Sequence, residues 1–257
     1  MTTGLRRESE KVEDKYTESI SEEVSMQLST AEHVLTEQLS NLKLNDTPNL
    51  LLCDAGYGLP SEAKPRREKI LAIGRQLYNF IKWQSDDECN KGRSLAQVKV
   101  VGSLDVVNAL QERLQQLCGN SDLPPHVEFC SGQPLEDYID DDTIYLSPDA
   151  TTVLDASQNP PSTIVVGLLI DRRTIQFNRS KKRALLLNIK AARWPLDEFS
   201  NIDKQEPLNV DTIMEGMQQW WWNCETCERK ECFIQAATQA IERHCQRHPN
   251  RPLHKTT

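Results

Sequence analysis

The chain has 257 residues, is 38% hydrophobic and carries a formal net charge of −8. That size suits one large domain, or one domain with an appendage, and no apolar run approaches the roughly 18 residues of a helical membrane span. The first residues, MTTGLRRESEKVEDKYTES, are acidic and lack an apolar segment, so neither a secretory signal nor a mitochondrial presequence is expected.

Eight cysteines are scattered without the rhythm of a disulfide framework. A reducing compartment, cytoplasm or nucleus, is the expectation. The charge is unevenly spread. Residues 1–46 hold five basic and ten acidic side chains, whereas residues 172–193 hold eight basic ones and no acid. An acidic chain thus carries one dense basic segment, the kind of patch that meets a phosphate backbone.

Residues 1–18 read as a charged tail. Ile20, Val24, Leu28, Ala31, Leu35, Leu39 and Leu42 recur at three- to four-residue spacing, which predicts an amphipathic helix. That helix either docks on the body or offers a face to a protein partner. Residues 1–46 form this appendage, and the polar Asn45–Asn49 stretch leads into the folded domain, residues 47–250, followed by a short tail.

Apolar and helical runs then alternate. LLLCD (Leu50–Asp54) is a buried strand, and Glu68–Trp83 a helix with Ile70, Leu71, Leu77, Tyr78 and Ile81 on one side. Ala96–Val101 is a second strand, and Ser103 caps a helix to about Leu117. His126–Cys130 and Thr143–Ser147 are further strands, and Pro148 stands where proline favours a helix start. Thr163–Asp171 is nearly continuous in apolar residues, the mark of a strand buried on both faces of a parallel sheet. Helices are expected over Ser180–Asn188, Val210–Trp222 and Phe233–Cys245. This alternation predicts an α/β fold, a parallel sheet flanked by helices.

In such a sheet, ligands sit outside the carboxyl ends of the strands. Two ends stand out. YLSPD (Tyr145–Asp149) follows the fourth strand, and GLLIDRR (Gly167–Arg173) closes the fifth. Gly167 within a strand suggests close approach by a ligand or backbone. Asp171 either faces a site or caps a turn beside an arginine.

The ordered set YLSPD, VVGLLIDR, KAARWPLDEF and LNVDTIMEGMQQW, with LLLCDAGYG upstream, resembles the SPOUT-class tRNA (purine-9, N1) methyltransferase family over roughly residues 49–245. The resemblance implies a carboxy-terminal trefoil knot and S-adenosylmethionine as cofactor. It implies cofactor contacts at Leu146, Ser147 and Pro148, at Gly167, at Ala191, Ala192, Arg193 and Leu196, and at Leu208 and Asn209. It places the proposed general base at Asp171, beside a tRNA surface of Arg172, Arg173, Arg179, Lys182 and Arg193. Guanine is the favoured target, since its N1 carries a proton that a carboxylate can take. A monomer is expected.

The sequence departs from the family pattern at four places. Leu168 replaces the second of two strand glycines and narrows the expected pocket. DAGYG stands for D-C-S-F, KWQSDDE for an asparagine-arginine pair, and the basic amino-terminal helix is absent. These departures also fit a non-catalytic tRNA-binding subunit that supports tRNA 5′-end processing.

Three weaker signals remain. Cys224, Cys227, His244 and His248 have a spacing too long for a usual zinc finger, and no metal is expected. Gln218–Asn223 holds three tryptophans that either stack bases or fill the core. The basic stretch Arg243–Lys255 extends an RNA surface or forms a solvated tail. His33 and His126 read as structural.

Overall fold

The structure is a computed structural model. It describes residues 48–86, 90, 92–119, 122–169, 178–196, 199, 208–224 and 229–249. The stripe Ile20–Leu42, His33, Asp171, Arg172, Arg173, Cys227 and the last eight residues lie outside the described residues.

Six strands form one parallel sheet: β1 (Leu50–Asp54), β2 (Gln97–Gly102), β3 (Val127–Ser131), β4 (Ile144–Leu146), β5 (Thr163–Gly167) and β6 (Lys190–Ala192). Their spatial order is β3-β2-β1-β5-β4-β6. The helices are α1 (Ala63–Gln84), α2 (Leu104–Leu117), α3 (Arg179–Leu186), α4 (Val210–Asn223) and α5 (Arg229–Arg247). The α/β architecture read from the sequence is therefore present.

Alternation along β1 sorts the core into two faces. Leu51 and Cys53 join Val98, Val100, Ile164 and Val166 in one apolar cluster with residues of α1, α2, α4 and α5. Leu52 joins Val101, Tyr145 and Val165 on the other face, closed by Ala184, Leu187 and Ile189 from α3 and its exit. The first face is thickly covered, and each fully buried leucine there contributes about 1.5–3 kcal/mol. Among the described residues, the second is covered by α3 and its exit, with Leu135 and Tyr138 beside them.

Helix α3 ends as a Schellman turn. Ile189 N–H donates to the Ala184 carbonyl (2.9 Å) and Asn188 N–H to that of Leu185 (3.1 Å), with Asn188 left-handed at φ 54°. Leu187 and Ile189 are buried, while Leu185 and Leu186 are 79% and 81% exposed, so α3 packs along one stripe only.

Two expectations need correction. No helix follows Pro148. The Ala150 N–H closes a turn on the Ser147 carbonyl, and Leu154 N–H donates to the Arg193 carbonyl, so this backbone is committed to the segment that follows β6. Val153 forms a parallel bridge with Arg193. The second correction is β6, since no strand was expected between Asp171 and Val210; three residues with flanking basic side chains carry too little alternation to show one.

The three tryptophans are core. Trp220, Trp221 and Trp222 are 1%, 5% and 5% exposed, and the last two donate their indole N–H to the Pro161 and Ser94 carbonyls. None is free to stack a base. Arg243 and Arg247 are likewise turned inward, onto the buried Glu215 carboxylate at 2.8 and 2.6 Å, so this part of the basic stretch ties α5 to α4. His244 is buried and shares a hydrogen bond with Thr212 (2.9 Å), and Cys232 is disulfide-bonded. No group of three or more metal-ligating side chains occurs among the described residues.

His126 pairs with the Gln84 side chain at 2.9 Å. Burial holds its imidazole below the ordinary 6.5. The unfolded chain then takes up this proton at higher pH than the folded one. Stability tied to His126 is present above about pH 6.5 and is lost as pH falls through that value. Denaturant titrations at about pH 7.5 and 5.5 should show a smaller acid-side decline in His126→Gln than in the parent; an equal decline would place the effect elsewhere.

Candidate active site

Strand order reverses between β1 and β5, and in parallel sheets the crevice at such a switch point is where ligands bind. The register puts Asp54, the last residue of β1, directly beside Gly167, the last of β5. Leu146 at the end of β4 lies level with Val166 of β5 and Ala192 of β6. Three predicted contact segments thus meet at one rim.

The rim is knit through backbone. Ser147 N–H donates to the Ala192 carbonyl (2.9 Å) and Arg193 N–H to that of Thr152 (2.9 Å). The Ser180 hydroxyl of α3 donates to Ser147 Oγ at 2.7 Å, fixing the basic helix against the loop after β4. The predicted residues divide between the sheet faces. Leu146, Ala192 and Leu196 lie in the first cluster, with Leu208 packed against it. Ala191 packs against the second. Asn209 caps the start of α4 without a side-chain cap bond; its amide meets His248 Nε2 at 3.1 Å. Leu168 is 2% exposed and fills the same cluster as Leu146, Ala192 and Leu196.

A polar network at the switch point went unremarked in the sequence. The Asp54 carboxylate is fully buried. One oxygen accepts from the Tyr145 hydroxyl (2.8 Å) and from Arg183 Nε (3.0 Å). The other accepts from Gly56 N–H (2.8 Å). The Tyr57 and Tyr145 hydroxyls meet at 2.5 Å. A Cβ on Gly167 would stand 2.9 Å from the Tyr57 hydroxyl oxygen and 3.1 Å from that of Tyr145, so glycine keeps this approach open.

Electrostatics follow from burial. Desolvation raises the Tyr57 and Tyr145 phenols above their usual value, and the Asp54 charge adds to the rise. Burial alone would lower the Arg183 guanidinium, but the hydrogen bond and charge of Asp54 raise it on balance. Neither phenol is poised to give up its proton near neutral pH; the network stores a paired charge.

Of the predicted RNA residues, Arg179, Lys182 and Arg193 are described. Lys182 is exposed. Arg179 is half-buried, with Nη2 donating to the Tyr57 carbonyl (3.1 Å) and its guanidinium 5.3 Å from the Tyr57 ring centroid. Arg193 is half-buried and joined to the loop after β4.

The cofactor-side segments are apolar or small, Leu146, Pro148, Ala191, Ala192, Leu196 and Leu208, with ordered backbone between them. An adenosyl thioether needs surroundings of that kind, a mostly apolar wall with a few fixed polar groups.

Residues 90–236, more than half of the chain, match the family model of tRNA (guanine(9)-N(1))-methyltransferase TRM10/TRM10A. No curated protein matches by sequence. The crystal structure of spTrm10(74) is similar at a TM-score of 0.54 and 17% identity, covering 76% of this chain and 95% of that one. The structure of full-length spTrm10 in complex with SAH is similar at a TM-score of 0.51 and 16% identity, covering 74% and 96%. These two share the fold.

Proposed function

The chain belongs to the tRNA (guanine(9)-N(1))-methyltransferase TRM10/TRM10A family, and on that premise we propose that it methylates N1 of the guanine at tRNA position nine, with S-adenosylmethionine as methyl donor. The observation that carries the reading is the alignment of the β5, β4 and β6 ends along one rim that starts at the switch point between β1 and β5. When bound, the donor supplies an electrophilic methyl group on a sulfonium. Leu146–Pro148, Gly167, Ala191–Arg193, Leu196 and Leu208–Asn209 would hold it, and the crossing of these segments would form the trefoil knot of the fold class.

The protein's own part is deprotonation and grip. N1 of guanine is protonated at neutral pH, so its lone pair is available only as the proton leaves. Asp171, a few residues past the end of β5, is the group we assign to take that proton. Arg172 and Arg173 follow it directly in sequence, and positive charge near a carboxylate favours its ionised form. Lys182 on the outer side of α3 would bind phosphate. The target base must also be drawn from its stack to reach the rim.

A second reading keeps the RNA surface and drops the chemistry, and the buried Leu168 favours it, since it occupies space among the expected donor contacts. Incubation with methyl-labelled S-adenosylmethionine and tRNA, followed by nucleoside digestion, separates the two. N1-methylguanosine supports the enzyme; tRNA binding with no label incorporated supports the subunit.

A further inference from the structure

Arg179 and Arg183 are four residues apart on α3 and so share one helical face. That face looks into the protein. The two arginines grip the loop from Asp54 to Gly58 at separate points. Arg183 Nε pairs with the Asp54 carboxylate at 3.0 Å, and Arg179 Nη2 takes the Tyr57 carbonyl at 3.1 Å. The Arg183 guanidinium also lies over Gly56, where a Cβ would stand 2.5 Å from Nη2. The loop then carries the Tyr57 ring to Gly167, at the end of β5. Lys182, between them in sequence, faces solvent.

We propose that Arg183 is a positioning residue for methyl transfer and not an RNA contact: by holding Asp54 and the Asp54–Gly58 loop, it fixes Tyr57 and Tyr145 against Gly167. The role rests on the methyltransferase reading above. An arginine committed in this way cannot turn to a phosphate without leaving a fully buried carboxylate unpaired, which is strongly unfavourable. Its influence therefore runs to the geometry of the rim, through Tyr145 of β4 and Gly167 of β5, two of the strands whose ends build the site. Small displacements of such a rim cost turnover steeply.

The test uses the full chain and compares Arg183→Gln, Arg183→Lys and Lys182→Gln in steady-state methyl transfer and in tRNA binding by fluorescence anisotropy. Arg183→Gln should lower kcat by at least about tenfold while the tRNA Kd stays within about twofold. Arg183→Lys, which restores the charge without the guanidinium fork, should recover part of kcat. Lys182→Gln should raise the tRNA Kd several-fold and reduce its salt dependence by about one counterion.

Should Arg183→Gln fail to fold, Tyr145→Phe and Tyr57→Phe keep the rings, remove the network's hydroxyls and should lower kcat with tRNA Kd unchanged. The proposal is overturned if Arg183→Gln weakens tRNA as Lys182→Gln does with kcat kept. Full kcat in Arg183→Gln, or in both tyrosine variants, overturns it too. A wild-type chain that binds tRNA but transfers no methyl group defeats the methyltransferase reading itself, before any variant is compared.

Discussion

Asp54→Ala should destabilise the protein by about 3–5 kcal/mol, the usual consequence of removing one member of a buried ion pair. The carboxylate is fully buried and the Arg183 side chain is 28% exposed. Deleting the acid leaves the guanidinium, the Tyr145 hydroxyl and the Gly56 N–H facing an apolar gap. The Tyr145 hydroxyl is fully buried and gets no water in exchange for its bond to Asp54, while Arg183 recovers only part of its solvation. For a domain of this size the loss corresponds to a fall in melting temperature of roughly 10 °C. Asp54→Asn should cost less, because the amide oxygen still accepts from Tyr145 or Arg183. A melting temperature within a degree or two of the parent would show that the pair is dispensable and that solvent reaches the site.

Gly216→Ala should destabilise by up to about 2 kcal/mol although alanine is the better helix former. A Cβ built at Gly216, inside α4, would overlap Cη2 and Cζ2 of the Trp194 ring. That ring cannot step aside easily: it is 4% exposed, packs edge-on against Phe233 at 5.5 Å, and donates its N–H to Met217 Sδ at 3.4 Å. Overpacking of this kind costs about 1–3 kcal/mol, set against about 1 kcal/mol gained from helix propensity. Trp194 follows Arg193 and precedes Leu196, so a displaced ring also disturbs the proposed donor contacts, and S-adenosylmethionine affinity should fall with stability. Gly74→Ala is the internal control. Its Cβ would meet Arg113 Cγ at 2.6 Å, an overlap with one aliphatic chain and not with a locked ring, so thermal melts should show a smaller loss than for Gly216→Ala. Equal melting behaviour of the two variants would contradict the packing argument.

Much of this architecture is legible in the residues themselves. LLLCD and TIVVG are apolar on both pleats because both faces of the sheet are covered, and that pattern alone calls for a parallel sheet between helices. Helix α4 begins where it was expected because Val210 starts an apolar stripe that the core buries. What escaped was non-local. Pro148 is a good first helical residue, but the backbone beyond it is recruited by Arg193, forty-five residues on. The tryptophan run is polar-flanked in sequence and core in space, since α4 is covered by α1 on one side and α5 on another.

The Asp54 network had a signal that went unused. LLLCD is a buried strand that closes on a carboxylate, and a carboxylate in that place stands at the end of the sheet where ligands sit. What no sequence pattern could supply was the partner: Arg183 lies 129 residues away, within a basic segment whose members look alike until the helix sorts them into inward and outward faces.

The central claim is that a carboxylate just past the end of β5 drives methyl transfer to a protonated purine nitrogen. The most direct measurement is transfer of labelled methyl from S-adenosylmethionine to two tRNA transcripts that differ only in G or A at position nine, with the parent chain and Asp171→Asn. The account predicts methylation of the G transcript, and a fall of about 10²–10⁴-fold in Asp171→Asn, as expected for loss of a general base. Methylation of the G transcript at an undiminished rate in Asp171→Asn would contradict it.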